Sequence, residues 1–169
     1  MSVKAATARA VAPAVTPPTG LATKAYAVVA KALGPVLADS YQLFIKTQGV
    51  HWNVSGPNFY GLHKLTQDQY EDLYAAIDVI AERIRALGAP APASYTSYGE
   101  LGSIRDEPGS GDQAAKLAML VRDNGRLCET LRQALATAEE HDDVVTADLL
   151  TARLAQHEQN AWMLQMTLQ

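Results

Sequence analysis

Cysteine and long apolar runs are scarce in this sequence, and each shortage excludes a class of protein. Cys128 is the only cysteine among 169 residues, so no disulfide can form within the chain, as suits a reducing cytosol. It falls in a helical pattern, where we expect a small buried side chain rather than a reactive thiol. No run of about eighteen apolar residues occurs, so we expect no membrane-spanning segment.

Acidic residues are missing from positions 1–38, which carry four bases, whereas the rest of the chain has all 18 acids against 10 bases. An acidic body of this kind attracts cations. Residues 1–20 are rich in alanine and proline, which predicts a flexible basic arm in front of one domain over 21–169. Proline interrupts the arm too often for a signal-peptide core, so we expect a cytoplasmic protein.

Strand-like alternation is also missing, and after the arm the apolar residues recur at steps of three and four. The pattern predicts four long helices, the second over about 59–87, stopped by Gly88, and the third over about 112–139. We expect Gly34-Pro35 to kink or split the first helix. Residues 89–111 are rich in proline and glycine and should hold one short helix. The remaining turns are short, which favours an all-α four-helix bundle.

Four side chains suited to metal binding stand out: His51, His63, Asp78 and Glu82. Imidazole nitrogens and carboxylate oxygens together suit iron(II) and leave positions open for an oxidant. His63 and Asp78 are fifteen residues apart, about 22 Å of helix, so one chain cannot close both on one ion. A two-fold axis that lays two second helices antiparallel would bring them together, which predicts a site split between two chains. Taken singly, a histidine near a helix end is more often an ordinary surface histidine, and an acid pair followed by arginines is more often an ion-paired helix face. Only the combination of the four favours a metal site.

Glu-x-x-His, the pattern that builds a di-iron centre within one chain, does not occur. Three stretches instead resemble the Dps family, the ferritin-like miniferritins of bacteria: KTQGVHWNVSGPNF at 46–59, IDVIAERIRALG at 77–88 and HEQNAWML at 157–164. The likeness extends over about residues 20–168. It implies a ferritin-like bundle, twelve copies of which form a hollow cage. It also implies a ferroxidase that oxidises iron(II), mainly with hydrogen peroxide although dioxygen is an alternative, and stores the ferric mineral.

By matching position, the resemblance makes His51, His63, Asp78 and Glu82 the ferroxidase ligands, shared across a dimer interface. Trp52 would lie beside the site, where packing the interface is favoured over intercepting an oxidising equivalent. Gln67 departs from the family, which usually has Asp or Glu four residues after the second histidine. A neutral amide is a weaker iron ligand, so the second iron position is expected to be weak. Zinc(II) or manganese(II) could compete for the same ligands.

Asp142, Asp143 and Asp148 cluster at the predicted start of the fourth helix. Three copies around a three-fold axis would make a negative funnel for iron, and helix capping explains the same residues equally well. Lys4 and Arg9 are the bases of the arm, and two charges neutralise few phosphates. Twelve arms would add avidity, but the acidic body opposes it, so we do not expect DNA condensation at physiological salt.

Two other functional classes stay open. A structural protein that coats DNA in the nucleoid would need the bundle without the metal ligands. A zinc or manganese buffer would use the ligands without oxidising anything.

Overall fold

The computed structural model of the chain describes residues 18–169, which form five helices and no strand. The helices are α1 (Thr23–Asn53), α2 (Phe59–Ala86), α3 (Tyr95–Leu101), α4 (Gln113–Glu140) and α5 (Val144–Met166). α1 packs along α2, α4 packs along α5, and α1 joins the two pairs through α4. The predicted four-helix bundle, with one short helix between its second and third long helices, is confirmed.

Capping side chains begin α4 and α5, and a glycine ends α2, at positions that the sequence predicts. The Asp112 carboxylate accepts a hydrogen bond from Ala115 N at the start of α4, and Asp143 accepts one from Thr146 N at the start of α5. Gly88 follows α2 with a φ of +85°, a left-handed conformation that closes a helix at little cost. Local contacts therefore fix the end of α2 and the starts of α4 and α5.

Pro35 does not split α1, which runs without interruption from Thr23 to Asn53, so the alternative of two separate helices is wrong. A proline ring has a helical φ, and its cost in a helix is one lost hydrogen bond and a local clash. Packing outweighs this cost, because Leu33, Val36 and Leu37 around the proline are fully buried. α1 is the core helix of the bundle.

Within residues 18–169, α1 alone is long and apolar enough to cross a membrane, by length and composition. Of its most apolar window, 56% is buried inside the bundle, as befits a core helix. The apolar character of α1 is therefore accounted for by α2 and α4 packed against it.

A buried carboxylate fixes the connection between α2 and α4. Asp39 on α1 accepts hydrogen bonds from Ser103 N at 2.6 Å and Ile104 N at 3.0 Å. It also accepts from the Ser103 and Thr130 hydroxyls at 2.8 and 2.7 Å. Burying this charge is tolerated because both oxygens are hydrogen-bonded. A Cβ on the adjacent Gly102 would lie 2.9 Å from Asp39 Oδ1, so only glycine fits there.

A second buried polar chain joins α2, α4 and α5. His157 Nδ1 lies 2.9 Å from Asn124 Oδ1, and burial lowers the pKa of this imidazole to about 3. One turn earlier, Arg153 donates two hydrogen bonds to Asp72, at 3.0 and 2.6 Å. His157 is therefore a neutral structural histidine.

Candidate metal centre

His51 and His63 meet across the turn between α1 and α2. Their rings stack with centroids 3.7 Å apart and planes 18° from parallel. His51 Nδ1 lies 2.8 Å from the carbonyl oxygen of His63, and His63 Nδ1 lies 2.9 Å from the carbonyl oxygen of His51. A carbonyl oxygen only accepts, so each Nδ1 carries a hydrogen, and in a neutral ring the lone pair is then on Nε2. This tautomer is the one that binds metals through Nε2.

Aromatic rings hold the histidine pair on two sides. The Phe59 ring stacks on His63 at 5.1 Å, and the Tyr70 ring meets His51 edge-on at 5.1 Å. His51 is only 8% exposed, whereas the neighbouring Trp52 is 67% exposed. The sequence analysis missed Phe59 and Tyr70, although their helical spacing of four and seven residues from His63 signals a shared face.

Asp78 and Glu82 are exposed on α2, and neither has a hydrogen-bond or ion-pair partner among residues 18–169. The arginines that follow them are engaged elsewhere. Arg83 binds Asp143 at 2.7 Å, and Arg85 donates to the Ala89 carbonyl oxygen at 3.0 Å. The alternative of an ion-paired helix face therefore does not describe these two carboxylates.

One chain does not assemble the four candidate ligands. His63 and Asp78 lie on the same uninterrupted helix, about 22 Å apart along its axis. Within residues 18–169, no three His, Cys, Asp or Glu side chains converge on a common metal position. Two free imidazole nitrogens at one end of α2 and two unpaired carboxylates at the other nevertheless form a donor set that suits iron(II).

Gln67 lies one turn beyond His63, and its Nε2 donates to Glu71 Oε1 at 2.7 Å. Asp68 is held by Lys64, whose Nζ lies 2.8 Å from Asp68 Oδ1. Asp68 is also about 100° further round the helix than Gln67. It therefore cannot take the position of Gln67. Glu71 was not among the predicted site residues, and its spacing of four from Gln67 is the signal that would have found it.

The three aspartates near the start of α5 differ in their surroundings. Asp143 is buried, caps α5 and pairs with Arg83. Burial acts to raise the pKa of Asp143, but the hydrogen bonds from Arg83 and Thr146 outweigh it and hold the pKa below its usual range. Asp142 and Asp148 are exposed. The charge of Asp143 is compensated, so a negative funnel would rest on the other two.

The predicted DNA contacts, Lys4 and Arg9, lie outside the described residues. The predicted arm over 1–20 is described only from residue 18 onward.

Comparisons of sequence and of structure relate this chain to the same group of known proteins. The ferritin-like domain family matches residues 30–169. The DNA protection during starvation protein of Brevibacillus brevis is 34% identical over 142 residues, which cover 84% of this chain and 95% of that protein. A low temperature-induced protein of Nostoc sp. is 41% identical over 130 residues, covering 76% of this chain and 73% of that protein.

Among solved structures, the Dps protein of Vibrio cholerae O1 is similar over 95% of this chain and 100% of its own, with a TM-score of 0.86 and 32% identity. That protein is described as a member of a broad superfamily of ferritin-like diiron-carboxylate proteins. The sequence match to the Brevibacillus protein and the structural match to the Vibrio protein both extend over nearly the whole described length of this chain. The chain belongs to the Dps family of ferritin-like proteins.

Proposed function

We propose that this chain assembles into a hollow homododecameric cage in the cytoplasm, oxidises iron(II), mainly with hydrogen peroxide, and stores the ferric product. The observation that carries the proposal is the histidine pair, because both Nδ1 atoms are held by backbone carbonyls and neither Nε2 has a hydrogen-bond partner among residues 18–169. Asp78 and Glu82 of a second chain complete the site when two copies of α2 lie antiparallel. The ferritin-like family match and the diiron-carboxylate superfamily named for the Vibrio protein support iron as the substrate.

The residues have separate roles in this chemistry. His51 and His63 bind iron(II) through neutral nitrogens, and Asp78 and Glu82 supply negative charge that stabilises the ferric product. Peroxide takes one electron from each of two iron(II) ions, so both of its oxygens reach the oxidation level of water. No hydroxyl radical is released, which explains protection against peroxide. Trp52 packs against the second chain beside the site.

Zinc(II) or manganese(II) competes for the same ligands, because imidazole and carboxylate donors accept several divalent ions. Iron reaches the cage through openings lined by Asp142 and Asp148, whose charges are exposed. DNA condensation at physiological salt is not expected. A gel-shift series with the full chain and with a chain lacking residues 1–20 tests this prediction over a range of salt concentrations.

Anaerobic iron(II) titration followed by peroxide tests the proposed oxidation. The wild-type cage should form ferric absorbance with two iron(II) oxidised per peroxide. The double variant His51→Ala, His63→Ala should lose this reaction. The control variant His141→Ala, which removes the histidine that follows the last residue of α4, should retain it. Metal binding without ferric absorbance in the wild type would instead indicate a metal buffer. Normal oxidation by the double variant would refute the assigned site.

A further inference from the structure

The hydrogen bond between Gln67 and Glu71 determines which way the Gln67 amide faces. Gln67 Nε2 donates to Glu71 Oε1 at 2.7 Å. An ionised carboxylate only accepts, so the NH₂ group must be the one that meets Glu71. The carbonyl oxygen, Oε1, then occupies the other arm of the amide. Among residues 18–169, nothing donates a hydrogen bond to that oxygen.

Both members of the pair lie on the face of α2 that carries the candidate ligands. At 100° per residue, Gln67 is about 40° round the helix from His63, and Glu71 is about 80°. Asp78 and Glu82 lie at about 60° and 100° on the same scale. Glu71 is therefore inside the arc of the metal site, one turn behind the amide that it holds.

The nearby acid Asp68 differs from Glu71 in two ways. It lies about 140° from His63, outside the arc, and its charge is paired with Lys64 at 2.8 Å. Glu71 forms no ion pair within residues 18–169. Among residues 18–169, Glu71 is thus the one acid in this turn that lies on the ligand face without an ion-pair partner, and Lys64 acts on its charge only through space.

We propose that Glu71 is a positioning residue for the second metal position, where it orients Gln67 so that the amide Oε1 faces the metal. The hydrogen bond also polarises the amide and makes its oxygen a better donor, as a carboxylate does behind a metal-binding histidine. An amide backed by a carboxylate thus replaces the single carboxylate that the family usually has there. This inference rests on the proposed two-chain metal site.

The charge and the hydrogen bond can be separated by substitution. Glu71→Gln keeps an oxygen that can accept from Gln67 Nε2 but removes the charge. Glu71→Ala removes both. The swap Gln67→Glu, Glu71→Gln moves the carboxylate to the ligand position and leaves an amide behind it that can donate. Asp68→Asn is the matched control, because it removes the same charge from the neighbouring exposed acid.

Anaerobic titration of the assembled oligomers with cobalt(II) alone, by calorimetry and by ligand-field absorbance, measures both metal positions without oxidation. We expect wild type to fill a tight and a weaker position. In Glu71→Ala, the weaker affinity should fall about 10- to 100-fold with the tight one unchanged, and Glu71→Gln should lie between. The swap should restore or exceed wild-type affinity, because it places the carboxylate at the ligand position itself. The affinity that Glu71→Gln retains over Glu71→Ala is the result that a merely structural role for Glu71 would not give. Asp68→Asn should bind as wild type does.

Three results would overturn the inference: a weaker position unchanged by Glu71→Ala, an equal loss in Asp68→Asn, or a single class of cobalt(II) position in wild type. Each of these leaves the tight position, and with it the proposed function, intact. Failure of wild type to bind cobalt(II) at all would instead refute the proposed function. Each variant changes only exposed or half-buried groups of α2, and thermal unfolding verifies that its bundle is intact.

Discussion

Replacing Asp143 should destabilise the bundle more than any other single change near the start of α5. Its carboxylate, 2% exposed, accepts hydrogen bonds from Arg83 Nη2 at 2.7 and 2.8 Å. It also accepts from Thr146 N at 3.0 Å and from Thr146 Oγ1 at 2.7 Å. One side chain therefore caps α5, neutralises a largely buried guanidinium and ties the end of α2 to α5.

The magnitude follows from these contacts. Asp143→Ala removes a helix cap, worth about 1 kcal/mol. It also leaves Arg83 largely buried without its partner, which costs about 3–5 kcal/mol. The two losses share the same atoms and do not add, so we expect about 3–5 kcal/mol in total. Asp143→Asn keeps an acceptor for the cap and should cost about 1–3 kcal/mol.

Urea unfolding followed by far-ultraviolet circular dichroism measures the difference, with all variants at the same subunit concentration because assembly contributes to stability. Asp142→Asn is the control. That neighbour is exposed, and its φ of +55° suits asparagine as well as aspartate. A midpoint for Asp143→Ala within error of wild type, or an equal loss in Asp142→Asn, would refute the structural role of this ion pair.

The pH dependence gives an independent check. The folded pKa of Asp143 lies below its ordinary value, so the carboxylate stabilises the fold above that ordinary value and loses its effect as the pH falls through the folded pKa. The deficit of Asp143→Ala relative to wild type should therefore be full near neutral pH. It should shrink below about pH 4. A deficit that does not change with pH would contradict the ion pair as its cause.

Three further predictions concern other parts of the bundle. Burial lowers the pKa of His157 from an ordinary 6.5 to about 3, so on acidification the unfolded chain takes up this proton before the folded chain does. The free energy of unfolding should therefore decrease as the pH is lowered from 6.5 to about 3. His157→Gln should make this decrease less steep. Gly102→Ala would bring a Cβ within 2.6 Å of Gln42 Nε2 and 2.9 Å of Asp39 Oδ1, and should cost about 1–3 kcal/mol in urea unfolding. Asp148→Asn should slow ferric mineral formation in stopped-flow measurements by up to about tenfold at low salt, and an unchanged rate would refute the proposed opening.

Much of the fold could be predicted because local signals agreed with the packing. The stop at Gly88 and the caps at Asp112 and Asp143 depend on neighbouring residues only, so the sequence contains them. Pro35 misled because packing of α1 outweighs a local preference. Periodicity does not say which apolar residues of a helix face the bundle, and Trp162 of α5 is 59% exposed.

Residue types and spacing suggest the candidate ligands, but they do not contain the local chemistry around them. The reciprocal hydrogen bonds of His51 and His63 depend on how two helices meet across a turn, which no spacing records. For Asp143, the sequence supports helix capping and a negative funnel equally. Its pairing with Arg83 favours the capping role, but that contact joins residues sixty positions apart and is not visible in the sequence. The orientation of the Gln67 amide depends on its hydrogen bond to Glu71, which the sequence does not show.

Complementation between two inactive variants tests the shared site most directly. One variant carries His51→Ala and His63→Ala, and the other carries Asp78→Asn and Glu82→Gln; neither should oxidise iron(II) alone. A two-fold interface between one subunit of each kind contains two sites. In one site all four ligands are substituted, and in the other all four are intact. Oligomers reassembled from an equal mixture should therefore recover about a quarter of the wild-type ferroxidase sites. Mixed oligomers as inactive as their parents would contradict a site built from two chains.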